Sequence, residues 1–344
     1  MPEKAKSRDS PVAVVTGASA GVGRATARAL AEDGYDIALL ARGRAGLRGA
    51  ADEVRQAGRR ALPIEIDIAD AEAVFAAAEQ VRDELGPIDL WVNNAMLTVF
   101  SKVVDTTPED YRRVTDVTYL GTVYGTLAAL SQMREQGHGH IIQIGSALAY
   151  RGIPLQSAYC AGKHAVQGFC DSLRAELLHE KSPVRLTMIQ LPAINTPQFD
   201  WTKSRLPKKG QPVPPIFQPE VPARAVVWCS KRNKRELLLG FSSAIVVWGN
   251  KMLPNVGDHY LARNGVQSQQ TDQDEDPNRP HNLWDPVDAD QDHGAHGRFG
   301  ERAKTSSMLF QIERHHLLWL VILIAVLVVI AVGVGMGVLI QELW

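Results

Sequence analysis

Val12-Ala13-Val14-Val15-Thr16-Gly17-Ala18-Ser19-Ala20-Gly21-Val22-Gly23 is the stretch whose reading decides the fold. Its first four residues are a short β-branched run, which predicts a strand. A helical pattern follows through Ala25, Ala29 and Leu30 and stops at Gly34. Strand, glycine-rich turn and helix in that order form a setting that suits a phosphate. The glycines let the backbone come close, and the helix N-terminus offers free N–H groups and the positive end of its dipole. The spacing Gly17-x-x-x-Gly21-x-Gly23 differs from the commoner Gly-x-Gly-x-x-Gly, so from this stretch alone a plain turn remains open.

The alternation continues outward. Strands are expected at 36–41, 61–66, 88–92, 140–144 and 184–190, with helices at 44–57, 70–85, 108–136 and 157–180. Asp70 reads as an N-cap, Gly86-Pro87 as a stop, and the long helical region breaks near Gly121. Repeated strand–helix units predict a parallel sheet with helices on both faces. Ligands of such sheets bind beyond the carboxyl ends of the strands. Gly17, Arg42, Asp67, Asn94 and Ser146 all fall at or just past expected strand ends, so one crevice collects them.

Tyr159 and Lys163 are four residues apart, which on a helix puts both side chains on one face. An ammonium beside a phenol favours phenolate and makes a general acid/base of a weak acid. Alone, Tyr-x-x-x-Lys is a pattern that chance supplies often. Ser146 lies thirteen residues earlier, leaving the apolar run 141–145, and reaches toward the same place. Cys160 is a reactive thiol or, more simply, a small buried helix residue. The three cysteines Cys160, Cys170 and Cys229 are too few and odd in number for a disulfide framework and suit a reducing compartment. The formal net charge of −1 gives no reason to expect nucleic acid as a partner.

Residues 191–219 break the pattern with seven prolines and with Phe199, Trp201 and Phe217. A loop this long is functional or disordered, and the aromatics point to a lid over an apolar substrate. A helix at 222–230, a strand at 236–239 and a last helical region at 242–261, interrupted at Pro254, complete the pattern. From 266 to 314 aspartates dominate and aliphatic residues are few, so an extended or disordered linker is expected, pinned by Trp284 and Phe299. His293 and His296 stand in it without a ligand cluster of metal-site spacing. Residues 317–340 are uncharged and almost wholly apolar, and as a helix reach roughly 36 Å, enough for a ~30 Å hydrocarbon core. Arg302, Lys304 and Arg314 precede them and Glu342 follows, so the positive-inside bias predicts a single-pass C-terminal membrane anchor with the preceding domain in the cytoplasm. The expected organisation is a dinucleotide-binding catalytic domain over 10–264, an acidic extended linker over 265–316 and a transmembrane helix over 317–340.

Taken together, Thr16-Gly17-x-x-x-Gly21-x-Gly23, Asp67, Asn93-Asn94-Ala95, Ser146 and Tyr159-x-x-x-Lys163 resemble the motifs of the short-chain dehydrogenase/reductase family, in order and at family-like spacing. The similarity covers about residues 10–260. It implies an α/β fold, a Rossmann-type doubly wound parallel sheet of about seven strands, and hydride transfer between a nicotinamide cofactor and a carbonyl or alcohol carbon. Tyr159 takes the role of proton donor or acceptor. Lys163 lowers its pKa and holds the nicotinamide ribose, and Ser146 positions the substrate oxygen. Gly17, Ser19, Gly21, Val22, Gly23, Asp67, Ile68, Asn94, Ala95 and Thr196 are the further residues expected at the cofactor. Thr118 stands where the family carries an asparagine that holds a water chain to the lysine, and its hydroxyl is a partial substitute. Met96 replaces the family glycine after Ala95. The family commonly pairs through helices that correspond to 108–136 and 157–180, which implies a homodimer or homotetramer.

Cofactor choice follows from the end of the second strand. Sites that prefer NAD place a carboxylate there for the ribose hydroxyls. Here the sequence is Ala41-Arg42-Gly43-Arg44, and a guanidinium pairs with a 2′-phosphate. NADP(H) is therefore expected, with Arg42 and Ser19 at the phosphate. The reading is an NADP(H)-dependent oxidoreductase acting on a carbonyl or secondary alcohol, of a lipophilic substrate if anchor and aromatic loop are both taken into account. A membrane-tethered dinucleotide-binding sensor or scaffold with little turnover is the alternative.

Overall fold

Runs of Val, Ile and Leu without a polar face need cover on both sides, and a parallel sheet gives it to them. A computed structural model describes residues 10–315. Its main sheet has seven strands: β1 (Val12–Thr16), β2 (Asp36–Ala41), β3 (Ala61–Glu65), β4 (Leu90–Asn93), β5 (His140–Ser146), β6 (Arg185–Leu191) and β7 (Glu236–Leu238). The order is β7-β6-β5-β4-β1-β2-β3, and every pairing is parallel. β1, β2, β4 and β5 are buried along their whole length.

The two-residue period of a strand divides the core in two. Val12, Val14, Leu40, Trp91 and Ile141 face one side, with Val81 of α3 (Ala71–Glu84), Met133 of α5 (Gly121–Gln136) and Val166 of α6 (Ser157–His179). Ala13, Val15, Leu39, Val92 and Ile142 face the other, with Leu30 of α1 (Gly21–Glu32), Val54 of α2 (Arg44–Gln56) and Val226 of α7 (Glu220–Ser230). Asp70 caps α3 as expected, accepting from Ala73 N at 3.1 Å. The expected break near Gly121 is a π turn over Asp116–Leu120, between α4 (Pro108–Thr115) and α5. α8 (Phe241–Met252) and α9 (Pro254–Asn264) meet at Pro254.

Two segments differ from expectation. The aromatic loop after β6 is largely packed: Phe199 joins Phe100, Leu206, Ile216 and Phe299 in a third cluster, and Phe217 lies in the core. Residues 266–314, expected as a linker, lie on the domain. Gln270–Asp274 pairs antiparallel with Lys208–Gly210, and Ala303–Lys304 runs parallel to Ile216–Phe217. Leu283, Phe299 and Phe310 are buried, with Phe310 edge-on to Trp228; Trp284, expected as a pin, is half exposed. Some of the acidic residues that made this tail look like solvated linker are tied to cations: Asp274 to Lys208, and Glu275 to Arg279. Asp292 pairs with Arg24, which is 5% exposed and also bonds Glu53.

The expected membrane localisation is corrected. Residues 317–340, on which it rested, lie outside the described residues. Among the described residues no helix is long and apolar enough to cross a membrane.

His140 sits fully buried in β5, with Nε2 2.8 Å from Thr187 Oγ1. Burial, and then the charge of Arg185, pull its pKa from 6.5 to about 4. The unfolded chain therefore binds the extra proton first, so stability present above pH 6.5 falls as pH drops toward 4, by up to about 3 kcal/mol. Urea unfolding across this range is expected to show a steeper acid loss in the parent than in His140→Gln. Equal slopes would contradict the assignment.

Candidate active site

The carboxyl ends of β1, β2, β4, β5 and β6 open into a cavity of about 820 Å³. At one end lies the turn between β1 and α1. Gly17 and Gly21 have φ of +65° and +58°, the left-handed region where glycine is at ease. A Cβ on Gly23 would lie 2.1 Å from Gly17 O, so the turn closes only without one. Thr16 and Asn94 hold this turn to β4. Thr16 Oγ1 accepts from the backbone N–H groups of Asn94 and Ala95 at 2.9 and 3.1 Å, and Asn94 Nδ2 donates to Thr16 O at 2.9 Å.

At the other end, Ser146 leaves β5, and the first two turns of α6 bring Tyr159 and Lys163 to the same wall. All three are buried. Burial pushes the Tyr159 phenol well above its ordinary value, while its hydrogen bond with Ser146 opposes the shift. Lys163 Nζ donates to Ile144 O at 2.7 Å and lies 5.7 Å from the centre of the Tyr159 ring. Burial brings its pKa down to about 8. The phenol is thus protonated at neutral pH, and it is burial rather than the neighbouring ammonium that sets its level. The Cys160 thiol, next in sequence, is buried and its pKa is likewise raised by burial.

Ser19, Gly21, Val22, Arg42, Asp67, Ile68, Asn94, Ala95 and Thr196 line the same cavity with Gly17, Ser146, Tyr159 and Lys163. Gly23 lies behind the turn. Thr118 is also set back: it is fully buried in the π turn, and its hydroxyl accepts from Leu97 N and donates to Leu97 O at 3.0 and 3.1 Å. That pair of bonds fixes the helix break to the segment after β4. Arg42 Nη1 and Nη2 donate to Trp284 O and Asn282 O at 2.6 and 2.5 Å, so the guanidinium also anchors the tail.

A family model described as short chain dehydrogenase matches residues 11–205. The chain belongs to the short chain dehydrogenase family. It is 33% identical over 286 residues to the uncharacterized oxidoreductase YxnA of Bacillus subtilis, covering 82% of this chain and 80% of that protein. It is 36% identical over 188 residues to the putative oxidoreductase SadH of Mycobacterium tuberculosis, covering 55% and 68%. Among solved structures, an alcohol dehydrogenase from the archaeon Thermococcus sibiricus, complexed with 5-hydroxy-NADP, superposes with a TM-score of 0.58 at 30% identity. The match covers 67% of this chain and 95% of that one. The chain is thus an oxidoreductase of this family, which uses NAD(P)(H).

Thr16 was legible as part of the glycine motif, but its bonds to Asn94 were not. Arg113 and Asp288 were not singled out. Arg113 forms an ion pair with Asp67 and donates to Leu283 O at 2.9 Å, and nothing in a helix of mixed charge marks it out. Asp288 comes from the tail and joins the cavity wall.

Thr118→Val keeps the shape and removes both bonds to Leu97, leaving a buried N–H and C=O without partners. A loss of about 2 kcal/mol in urea unfolding is expected. A loss below about 0.5 kcal/mol would show that the hydroxyl does not hold the turn.

Proposed function

We propose that this chain transfers a hydride between NADP(H) and the carbonyl or secondary-alcohol carbon of a lipophilic substrate. The observation that carries the reading is the shared wall: Ser146, Tyr159 and Lys163 line one cavity with the glycine turn of Gly17 and Gly21. Residues and cavity fit a dinucleotide. Gly17 and Gly21 let the backbone of the turn come close, and a helix begins at Gly21 with the positive end of its dipole there, although the Gly21 N–H itself donates to Gly294 O of the tail at 3.2 Å. When bound, the nicotinamide gives or accepts the hydride. Ser146 Oγ donates to the substrate oxygen and orients it. Tyr159, protonated at neutral pH, gives its proton to that oxygen as negative charge develops there, which favours reduction. Lys163 holds positive charge beside the phenol and supports its ionised form.

Arg42 and Ser19 on the cavity wall support a 2′-phosphate, and the complex of the Thermococcus sibiricus relative with 5-hydroxy-NADP is in keeping with that. A lipophilic substrate is supported by the far rim. Ile245, Leu253, Val256 and Tyr260 of α8, α9 and the residue between them line the cavity, yet each is more than half exposed. Phe199 and Trp201 of the packed loop add apolar wall. Exposed apolar surface on this scale marks a place that receives an apolar ligand.

The test is a panel of ketones and aldehydes with the purified chain, following NADPH oxidation. The parent is expected to turn over apolar ketones, and Tyr159→Phe to bind NADPH as before and lose at least about a hundredfold in rate. Undiminished turnover in the variant would overturn the role of Tyr159. Absence of turnover in a parent that binds NADPH would overturn the enzyme reading.

A pH profile tests Lys163 separately. Its folded pKa is about 8, so the ammonium is lost as pH rises through that value. The rate of ketone reduction is expected to hold below and fall above it. A flat profile there would contradict a charged Lys163 in the reaction.

A further inference from the structure

The end of the cavity nearest Arg42 holds a charge of the opposite sign. Asp288 is 8% exposed and lines the wall with Ser19, Arg42 and Gly43. The backbone fixes it there. Ala45 N donates to Asp288 O and Ala289 O at 3.2 and 3.0 Å, and Gly46 N to Asp288 O at 3.3 Å. These carbonyls close the first turn of α2, whose cap residue Gly43 has no side chain to do so.

Two glycines make room for the carboxylate. A Cβ on Gly43 would lie 1.9 Å from Asp288 Oδ1, and one on Gly46 2.6 Å from Oδ2 and 2.8 Å from Ser19 Cβ. Among the described residues the carboxylate accepts no direct hydrogen bond, and the Arg42 guanidinium is the cation that feels its charge. Arg42, close by, directs two N–H groups to tail carbonyls instead. A carboxylate on a cavity wall that spends no lone pair on the protein has them free for a donor from a ligand. The end of the second strand is where dinucleotide sites read the ribose 2′ position, through a carboxylate for a hydroxyl or an arginine for a phosphate. Here both stand at one subsite. Arg42 comes from the strand end and Asp288 from the tail.

We propose that Asp288 is a specificity-determining residue of the cofactor site, accepting a hydrogen bond from a ribose hydroxyl of NAD(H) and opposing the 2′-phosphate of NADP(H). The tail thereby supplies the carboxylate that β2 lacks and holds down the preference that Arg42 sets. This inference rests on the reading that the cavity takes a nicotinamide dinucleotide.

Calorimetric titration of the full chain with NADPH and NADH tests it without turnover. Asp288→Asn, and the smaller Asp288→Ser, are expected to tighten NADPH about tenfold and to leave NADH unchanged or weaker. Asp292→Asn is the control. It loosens the tail at Arg24 and leaves the Asp288 carboxylate in place, so it is expected to move both cofactors together. An NADPH-to-NADH affinity ratio unchanged in the Asp288 variants would overturn the proposal, as would the same change of ratio in Asp292→Asn. A parent that binds neither dinucleotide would overturn the underlying reading, and this role of Asp288 with it. A parent that binds them and keeps its ratio on substitution would overturn the role of Asp288 alone.

Discussion

The site depends on the knot between Thr16 and Asn94. β1 and β4 are neighbours in the sheet, and their carboxyl ends lead to different places: one into the glycine turn, the other toward the π turn. The Thr16 hydroxyl and the Asn94 amide tie these exits together through backbone groups of both strands. The glycine turn therefore has a fixed height above the sheet. Thr118 repeats the device one step on, bonding the π turn to Leu97. With both in place, Ser146 on β5 and the Tyr159–Lys163 face of α6 meet the cavity opposite the turn. Each of these buried bonds satisfies backbone groups that have no partner in the sheet itself, which is why polar side chains stand there.

The sheet was legible because its signal is local. Runs such as 36–41 and 141–144, buried on both faces, leave little choice but a strand, and Gly34, Gly58 and Gly86 mark the helix ends. Tyr159, Lys163 and Ser146 were legible as a spaced set, though not the balance of forces on them. Burial sets the level of the phenol and lowers the ammonium, and burial is a property of the packed molecule. Arg42 was legible as a charge at a strand end. That it would hold the tail was not.

The tail is where sequence reading failed, for a physical reason. An acidic stretch with few aliphatic residues has the composition of a disordered segment. Composition does not reveal that the domain exposes arginines and open helix ends needing acceptors. Arg24 needs Asp292, Arg113 needs the carbonyl of Leu283, Arg42 those of Asn282 and Trp284, and the start of α2 those of Asp288 and Ala289. Buried apolar residues, Leu283, Ala295, Phe299 and Phe310, dock what the arginines attract. The result is a further wall on the cavity, built from residues more than two hundred positions away from the glycine turn and Arg42 that it faces.

The central claim is that Tyr159 and its neighbours serve a hydride transfer. It is tested most directly by mass spectrometry of the alcohol formed from an apolar ketone with NADPH deuterated at the transferring position of the nicotinamide. The account predicts one deuterium on the carbinol carbon of the product made by the parent chain. NADPH consumed without deuterium in the alcohol would contradict it.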